Sequence, residues 1–254
     1  MDWIAIVSGF AVGGIVGITG VGGSSLMTPV LSVSKLNPAV AIGTDLWSAT
    51  STRTAGSVSH HRAGHVDWEI AGLLLAGSIP AALATIGPMH FTGITKSWAG
   101  ALTFTLGIML LLTAVTVAYK RVWQRAGLWL EHLIPERRKP WSTIGCGLIL
   151  GVLVSLSSIG AGAIDASAIL PLYPRPKSHE IVGTDIAHAV PLTIVAGIGH
   201  ATLGHVDWSL LGALLVGSFP GIWIGAQLTR KMPEKLVRAL LCVALVGAGL
   251  KVIT

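Results

Sequence analysis

Residues 98–119, 141–164 and 208–229 contain no Asp, Glu, Lys or Arg. Each run is longer than twenty residues. At 1.5 Å of rise per residue, a helix of that length crosses the roughly 30 Å of a bilayer's hydrocarbon core. Charged residues make up 11% of the 254-residue chain, against about 25% in a soluble domain. The mean hydropathy is +0.74. The runs are rich in Ala, Leu, Val and Gly and tolerate Pro80 and Pro220, which suits helices. A β-barrel would show alternating segments of about ten residues instead. The composition therefore predicts an all-α integral membrane protein. The opening Met1-Asp2-Trp3 lacks the basic region of a cleaved signal peptide. Cys146 and Cys242 both sit in apolar runs, so neither a disulfide nor zinc-ligand spacing is expected. The net charge of +6 is concentrated in loops, where it orients a membrane protein and does not point to nucleic acid.

The chain also repeats itself. "GTDLWSATSTRTAGSVSHHRAGHVDW" begins at Gly43, and "GTDIAHAVPLTIVAGIGHATLGHVDW" begins 140 residues later, at Gly183. The same offset pairs Gly20 with Gly160, Gly22 with Gly162, His60 with His200, and Gly72, Gly77, Ser78 and Pro80 with Gly212, Gly217, Ser218 and Pro220. Across residues 20–80 it gives 18 identities without a gap. Chance likeness between apolar segments would not hold Gly, Asp, His and Pro in register, so the chain reads as a duplication. Each half has five apolar segments, at 3–19, 24–36, 41–60, 68–88 and 97–119, then at 142–158, 163–173, 181–203, 208–229 and 235–253. The second of each is too short to span and follows a glycine-rich break, "GITGVGGSS" or "SSIGAGAID". This predicts a re-entrant helix pair meeting near the midplane, where irregular backbone must be shielded by protein or line a water-filled cavity.

Loop charge tests the topology. The linker 120–140 has six Lys/Arg against two Glu and is expected in the cytoplasm. Arg62, then Arg175 with Lys177, then Arg230, Lys231 and Lys235 place their loops on the same side; the loop 201–207 has neither Lys nor Arg. The pattern requires an odd number of crossings per half. The predicted fold is thus two inverted-topology repeats, each a Gly-broken re-entrant pair followed by three transmembrane helices. Five full crossings per half satisfy the charges equally. The expected units are residues 1–119, a basic linker 120–140 whose Trp and Leu residues suit an interfacial helix, and residues 141–254. Faces such as Gly72/Gly77 and Gly212/Gly217 can pack within a protomer or in a homodimer.

Several polar residues stand inside these segments. Asp45 and Asp185, in the GTD tripeptides with Thr44 and Thr184, can cap their helices, or can face a cavity to carry protons or orient a binding group. Arg53 lies deep in a segment, where insertion costs at least ~2.5 kcal/mol without a cavity or partner. It can pair with Asp45 or Asp165, or anchor a sulfonate or carboxylate through its planar fork. His188, at i+3 from Asp185, can relay a proton or be a hydrogen-bonded core histidine. Ser24 and Ser25, and Asp165 in the second half, follow the glycine turns at Gly22 and Gly162. There a helix N-terminus offers free N–H groups to an anion. In the shared "GHVDW", Gly64 and Gly204 suit helix ends, Asp67 and Asp207 suit N-caps, and Trp68 and Trp208 suit an interfacial belt. His60, His61 and His65 invite a metal reading, yet His61 has no counterpart and no Cys or Glu joins them. Arg53 in one copy and His188 in the other mark two unlike walls.

The glycine-rich turns with "GGSSLMTPVL", together with the two long GTD…GHVDW runs, resemble the TauE/SafE family of sulfite-exporter-like membrane proteins over essentially the whole chain. The resemblance implies a secondary transporter in a bacterial inner membrane, an exporter of small anions such as sulfite, sulfoacetate or related organosulfonates and carboxylates. No cofactor is expected. The partners are the anionic substrate and the lipid bilayer. No G-x-x-x-x-G-K-[ST] signature supports direct ATP drive, and no G-x-S-x-G nucleophile motif supports an enzyme. The competing readings are a metal-cation permease using the histidines, and a membrane assembly factor or enzyme without flux.

Overall fold

The computed structural model describes residues 3–19, 37–92, 96–119, 135–159, 172–173 and 178–229, with isolated positions at 27, 31, 239, 242–243, 245–247 and 250. All regular structure among them is helical. We number the α-helices α1 (Trp3–Thr19), α2 (Pro38–Arg62), α3 (Trp68–Thr92), α4 (Lys96–Ala118), α5 (Lys139–Ser157), α6 (Ser178–Thr202) and α7 (Trp208–Thr229). A 3₁₀ turn, Glu136–Arg138, leads into α5, so the last residues of the basic linker are already helical. The expected segments at 24–36, 163–173 and 235–253 fall largely outside the described residues, as do Gly22, Ser24, Ser25, Gly162 and Asp165.

Among the described residues, four helices are long and apolar enough to cross a membrane: 68–91 in α3, 136–157 including α5, 180–202 in α6 and 208–225 in α7. Pro80 and Pro88, Pro191 and Pro220 lie inside α3, α6 and α7, which membrane helices tolerate because neighbours re-satisfy the freed backbone. Large apolar side chains cover much of the outside, and polar and charged side chains are buried among the apolar core. Trp3, Ile4, Phe104, Trp141, Ile149 and Trp223 are exposed, while Asp45, Ser48, Arg53, Ser78, Asp185, His188, Thr193 and His200 are buried. A water-soluble fold sorts these residues the other way; a lipid solvent produces this arrangement.

α2 and α6 form the polar centre and run antiparallel. Trp47 meets Gly197, Thr50 meets Thr193 and Gly56 meets Ile186. α2 has 25 residues, roughly 37 Å of helix, yet with Asp45, Arg53, its histidines and its hydroxyl residues it is not among the apolar spans. Its hydroxyls bond back to their own helix, Thr50 to the Leu46 carbonyl at 2.8 Å and Thr54 to the Thr50 carbonyl at 2.7 Å. That spares each donor the desolvation cost of burial without a partner.

The outer helices exchange between halves. α1 packs along α7, and α5 packs along α3. Both pairs are parallel and seated on glycine. A Cβ on Gly9 would fall 2.5 Å from the Leu214 carbonyl oxygen, and one on Gly13 would fall 2.6 Å from that of Ser218. In the other pair, Gly147 and Gly151 meet the carbonyls of Leu74 and Ser78. Gly77 and Gly217 answer from the facing helices, against Ile144 and Ile6. This close approach is the packing of small residues expected between membrane helices. Gly72 and Gly212 meet nothing within 4 Å, so only one member of each glycine pair serves a contact inside the protomer. The equivalent glycines of α1 and α5 stand 138 residues apart, whereas their partners on α3 and α7 stand 140 apart. The halves therefore differ in length by two residues between the first helix and the GTD tripeptide.

Candidate functional site

The shared words of the two halves build helix ends. Gly64 has φ 70° and Gly204 has φ 75°, a conformation that glycine adopts without a Cβ penalty. Each closes its helix with a paired hydrogen-bond motif. Gly64 N–H donates to the His61 carbonyl and His65 N–H to that of His60, both at 3.0 Å; Gly204 N–H donates to Ala201 and His205 N–H to His200, at 3.0 and 2.9 Å. Asp67 Oδ1 then accepts the Glu69 and Ile70 N–H groups at 3.0 and 3.1 Å, and Asp207 Oδ1 accepts that of Leu210 at 2.9 Å. Both aspartates are N-caps.

The GTD tripeptides receive these turns from the opposite half. Thr184 Oγ1 accepts the Asp67 N–H at 2.9 Å, and Thr44 Oγ1 accepts the Asp207 N–H at 3.1 Å. Gly183 and Gly43 lie against the carbonyls of His65 and His205, where any Cβ would collide. The threonines thus tie helix ends together across the repeat boundary. The capping reading of Asp45 and Asp185 is corrected. α2 begins at Pro38 and α6 at Ser178, which sets both aspartates two turns inside. Asn37 caps α2 instead, its Oδ1 accepting the Ala39 N–H at 3.0 Å, with Pro38 in the favoured first position.

Between these ends the centre is polar and asymmetric. Asp45, Ser48 and Thr52 share one face of α2 and, with Ser218 of α7, line a small cavity against α1. At the corresponding place in the second half, 140 residues on, Ser48 is replaced by His188. Its Nε2 lies 3.0 Å from Ser78 Oγ, and Ser78 is the counterpart of Ser218. Arg53 lies on α2 between Thr50, which meets Thr193, and Gly56, which meets Ile186, so it stands along the stretch of α6 that carries His188. Thr50 Oγ1 and Thr193 Oγ1 bridge the two helices at 2.9 Å. The centre thus presents a buried cation, two buried carboxylates, an imidazole and a run of hydroxyls inside an apolar-surfaced bundle. Such a set can bind and orient a small ion and move a proton.

The profile of the Sulfite exporter TauE/SafE family matches residues 5–252. The chain belongs to the TauE/SafE family. A relative from Bacillus subtilis described as "Probable membrane transporter protein YjnA" is 37% identical over 252 residues, covering 98% of each chain. Another from the same organism, "Probable membrane transporter protein YdhB", is 28% identical over 247 residues, covering 95% of this chain and 96% of the relative. A "Probable membrane transporter protein" of Xylella fastidiosa is 25% identical over 232 residues, covering 90% and 85%. No solved structure matches. The family is described as a sulfite exporter and these relatives as probable membrane transporters, and this TauE/SafE chain is a multi-pass membrane protein.

Four histidines of this TauE/SafE chain come together in twos. The rings of His60 and His65 lie 5.7 Å apart, and those of His200 and His205 5.5 Å apart. Among the described residues no three of His, Cys, Asp or Glu gather as metal ligands. His200 Nε2 faces the Ser155 carbonyl at 2.9 Å and so carries the proton there. Its Nδ1 is left to accept from His205 Nδ1 at 3.3 Å. Burial, with the nearby His90 adding to it, holds His205 below its ordinary pKa of 6.5.

Sequence reasoning missed Trp47, which donates its indole N–H to the Gly197 carbonyl at 3.1 Å and packs on Trp208 at 5.7 Å. It also missed Ser48, Ser78 and Ser218. The signal was available, since the 140-residue offset pairs Ser48 with His188 and Ser78 with Ser218. A larger open cleft, about 370 Å³, lies away from the centre, between the turn at Gly64–Trp68 and Glu180, Ile181 and Thr184 of α6.

Proposed function

We propose that the chain is a secondary carrier that exports small sulfur-containing anions, such as sulfite, sulfoacetate or related organosulfonates and carboxylates, across a bacterial inner membrane. One observation carries the reading most. A buried guanidinium, Arg53, stands beside hydroxyl-bearing residues in the centre of a bundle whose outer surface is apolar. A guanidinium held there suits a sulfonate or carboxylate, which it engages through two parallel N–H bonds. His188, with Gly22, Ser24, Ser25 and Gly162 at the glycine breaks, completes the assigned binding set; Thr44 and Thr184, expected in it from the sequence, instead hold the turns of the opposite halves at opposite ends of the α2/α6 pair. Asp185 with His188 is the pair assigned to a coupling proton, and Asp45 and Asp165 orient the site.

Alternating access follows from rocking of one half against the other about this centre. Two features support inverted halves with the units 1–119, 120–140 and 141–254. The equivalent helices α2 and α6 run antiparallel, and each half exchanges an outer helix contact with the other. A homodimer is a further part of the reading, using the exposed glycines Gly72 and Gly212.

A thermal-shift screen of the purified protein against sulfite, sulfoacetate, acetate, thiosulfate and divalent metals tests the proposal. The sulfur anions are expected to raise the unfolding temperature, and Arg53→Ala is expected to weaken that response at least about tenfold in concentration. If folded Arg53→Ala and Arg53→Glu proteins bind sulfonates normally, the anchor assignment is wrong. Stabilisation by a divalent metal alone would favour a cation permease.

A further inference from the structure

The two ends of the α2/α6 pair are built alike and filled differently. At each end the glycine turn of one half docks on the GTD tripeptide of the other. At the Trp208 end, Trp47 follows Thr44 by one turn. Its indole donates to the Gly197 carbonyl, packs on Trp208 and lies over Gly197, where even a Cβ would come within 3.2 Å of Nε1. At the Trp68 end the residue equivalent to Trp47 is Ala187, and Ser57 stands in place of Gly197. Alanine has no ring to fill that end. The cleft of about 370 Å³ opens there, against Trp68, Ile181 and Thr184.

Burial divides in the same way. Ile42, at the start of α2, is 0% exposed, and its counterpart Val182, at the start of α6, is 36% exposed. Leu46 is buried and its counterpart Ile186 is half-buried. His200, in the last turn of α6, is buried, and its counterpart His60, in the last turn of α2, is half-buried. The helices are antiparallel, so the start of α6 and the end of α2 form a single end of the pair. Both parts of that end are the looser ones. The difference therefore belongs to the end and not to one helix. With α2 roughly 37 Å long, the two ends stand on opposite sides of the bundle.

We propose that Trp47 is the gate of the carrier at the Trp208 end, closed in this structure, and that the cleft at the Trp68 turn is the open passage from the other side. This assignment rests on the carrier reading above. The passage points toward the polar centre: Thr184 on its wall precedes Asp185 and lies one turn before His188. Asp67 and Glu180 also line it, so it suits an anion's transit and not its rest, and the binding cation, Arg53, lies further along α2. The loop that carries Arg62 stands at this end, on the side that loop charge assigns to the cytoplasm. Opening the far side takes the indole off Gly197 and Trp208. That costs one hydrogen bond and one ring contact, a step that a carrier alternating between two faces can repeat in every cycle.

The test is labelling with a membrane-impermeant maleimide, applied to each face of membrane vesicles in turn, on the matched variants Thr184→Cys and Thr44→Cys. The two threonines hold equivalent turns, so each substitution disturbs its own end alike. Signal is read above that of the unsubstituted protein, whose own thiols are Cys146 and Cys242. Thr184→Cys should react from the Arg62 face, at least about tenfold faster than Thr44→Cys does from either face. If Thr184→Cys does not fold, Ile181→Cys on the same cleft wall takes its place. Adding Trp47→Ala should close the gap, with Thr44→Cys now reacting from the Trp208 face. Thr113→Cys, at a hydroxyl buried in α4 and bonded to the Met109 carbonyl, should stay silent beside Trp47→Ala. If it reacts, the whole bundle has loosened and Trp47→Phe decides, since it keeps a ring and loses the N–H. Labelling of Thr44→Cys with Thr113→Cys silent then supports the gate, and any other result overturns it. Equal rates for the two matched variants, or a silent Thr44→Cys after Trp47→Ala, also overturn it. Sulfonate stabilisation is read separately on the unsubstituted protein. Its absence beside the expected labelling breaks the anion reading alone, and its presence without that labelling breaks the gate alone.

Discussion

The two halves share a scaffold and differ at a few side chains. At the position 48/188 one has a serine beside a cavity and the other an imidazole bonded to Ser78. At the position 47/187 one has an indole that bonds Gly197 and packs on Trp208, and the other has Ala187. Trp68, the counterpart of Trp208, instead meets His61 edge-on at 5.4 Å. The cleft of about 370 Å³ lies at the Trp68 turn. Backbone contacts are thus duplicated, and side-chain volume is redistributed. The halves differ in what fills equivalent holes, while the glycine-seated helix contacts leave little room for change.

That contrast can be broken most severely at the glycines. Gly13→Leu drives a side chain into the Ser218 backbone and should abolish recovery of a monodisperse protein, whereas Gly100→Leu, with open space around it, should not. Size-exclusion profiles from detergent separate the two, and equal behaviour would refute the exchanged packing. Next comes Trp47→Ala. Loss of a large aromatic and its hydrogen bond should cost about 3–5 kcal/mol. Trp68→Ala should cost clearly less, as Trp68 is exposed; chemical denaturation measures both. Ser78→Ala should follow at about 1–3 kcal/mol, since it strips the buried His188 Nε2 of its partner. Ser218→Ala removes only a 3.3 Å bond and should cost under about 1 kcal/mol. The smallest effect is on pH. His205 titrates below 6.5 in the fold, so its protonation is disfavoured there relative to the unfolded chain. Its contribution is fully present above the unfolded value and is lost as the pH falls through the folded one. His205→Gln should therefore flatten the decline in unfolding temperature below pH 6.5 and leave the behaviour above it nearly unchanged.

Much of this was legible in the residues. Long uncharged runs gave the helices, and "GHVDW" announced a glycine C-cap followed by an aspartate N-cap, which hydrogen bonds now bear out. Asn37-Pro38 is an equally good start signal. Starting the segment at residue 41 left Asp45 open to a capping reading, when it lies two turns inside a helix that begins at Pro38. The partners of Thr44 and Thr184 were not legible at all. A repeat offset says which residues are equivalent, and it is silent on which residues touch. The exchange of turns between halves is a tertiary fact with no local pattern. The 138-residue spacing of the α1 and α5 glycines was hidden for a related reason. In apolar helices full of glycine, only the backbone they approach shows which ones matter.

The seating of α1 on α7 has a consequence for biosynthesis. Gly9 and Gly13 meet Leu214 and Ser218, about two hundred residues later in the chain. α1 must therefore wait in the membrane until α7 has been made. During that interval its glycine face is turned toward lipid or toward an insertion chaperone. Severing the chain at the basic linker would leave each fragment with an orphan helix surface, and activity should return only when both fragments are synthesised together.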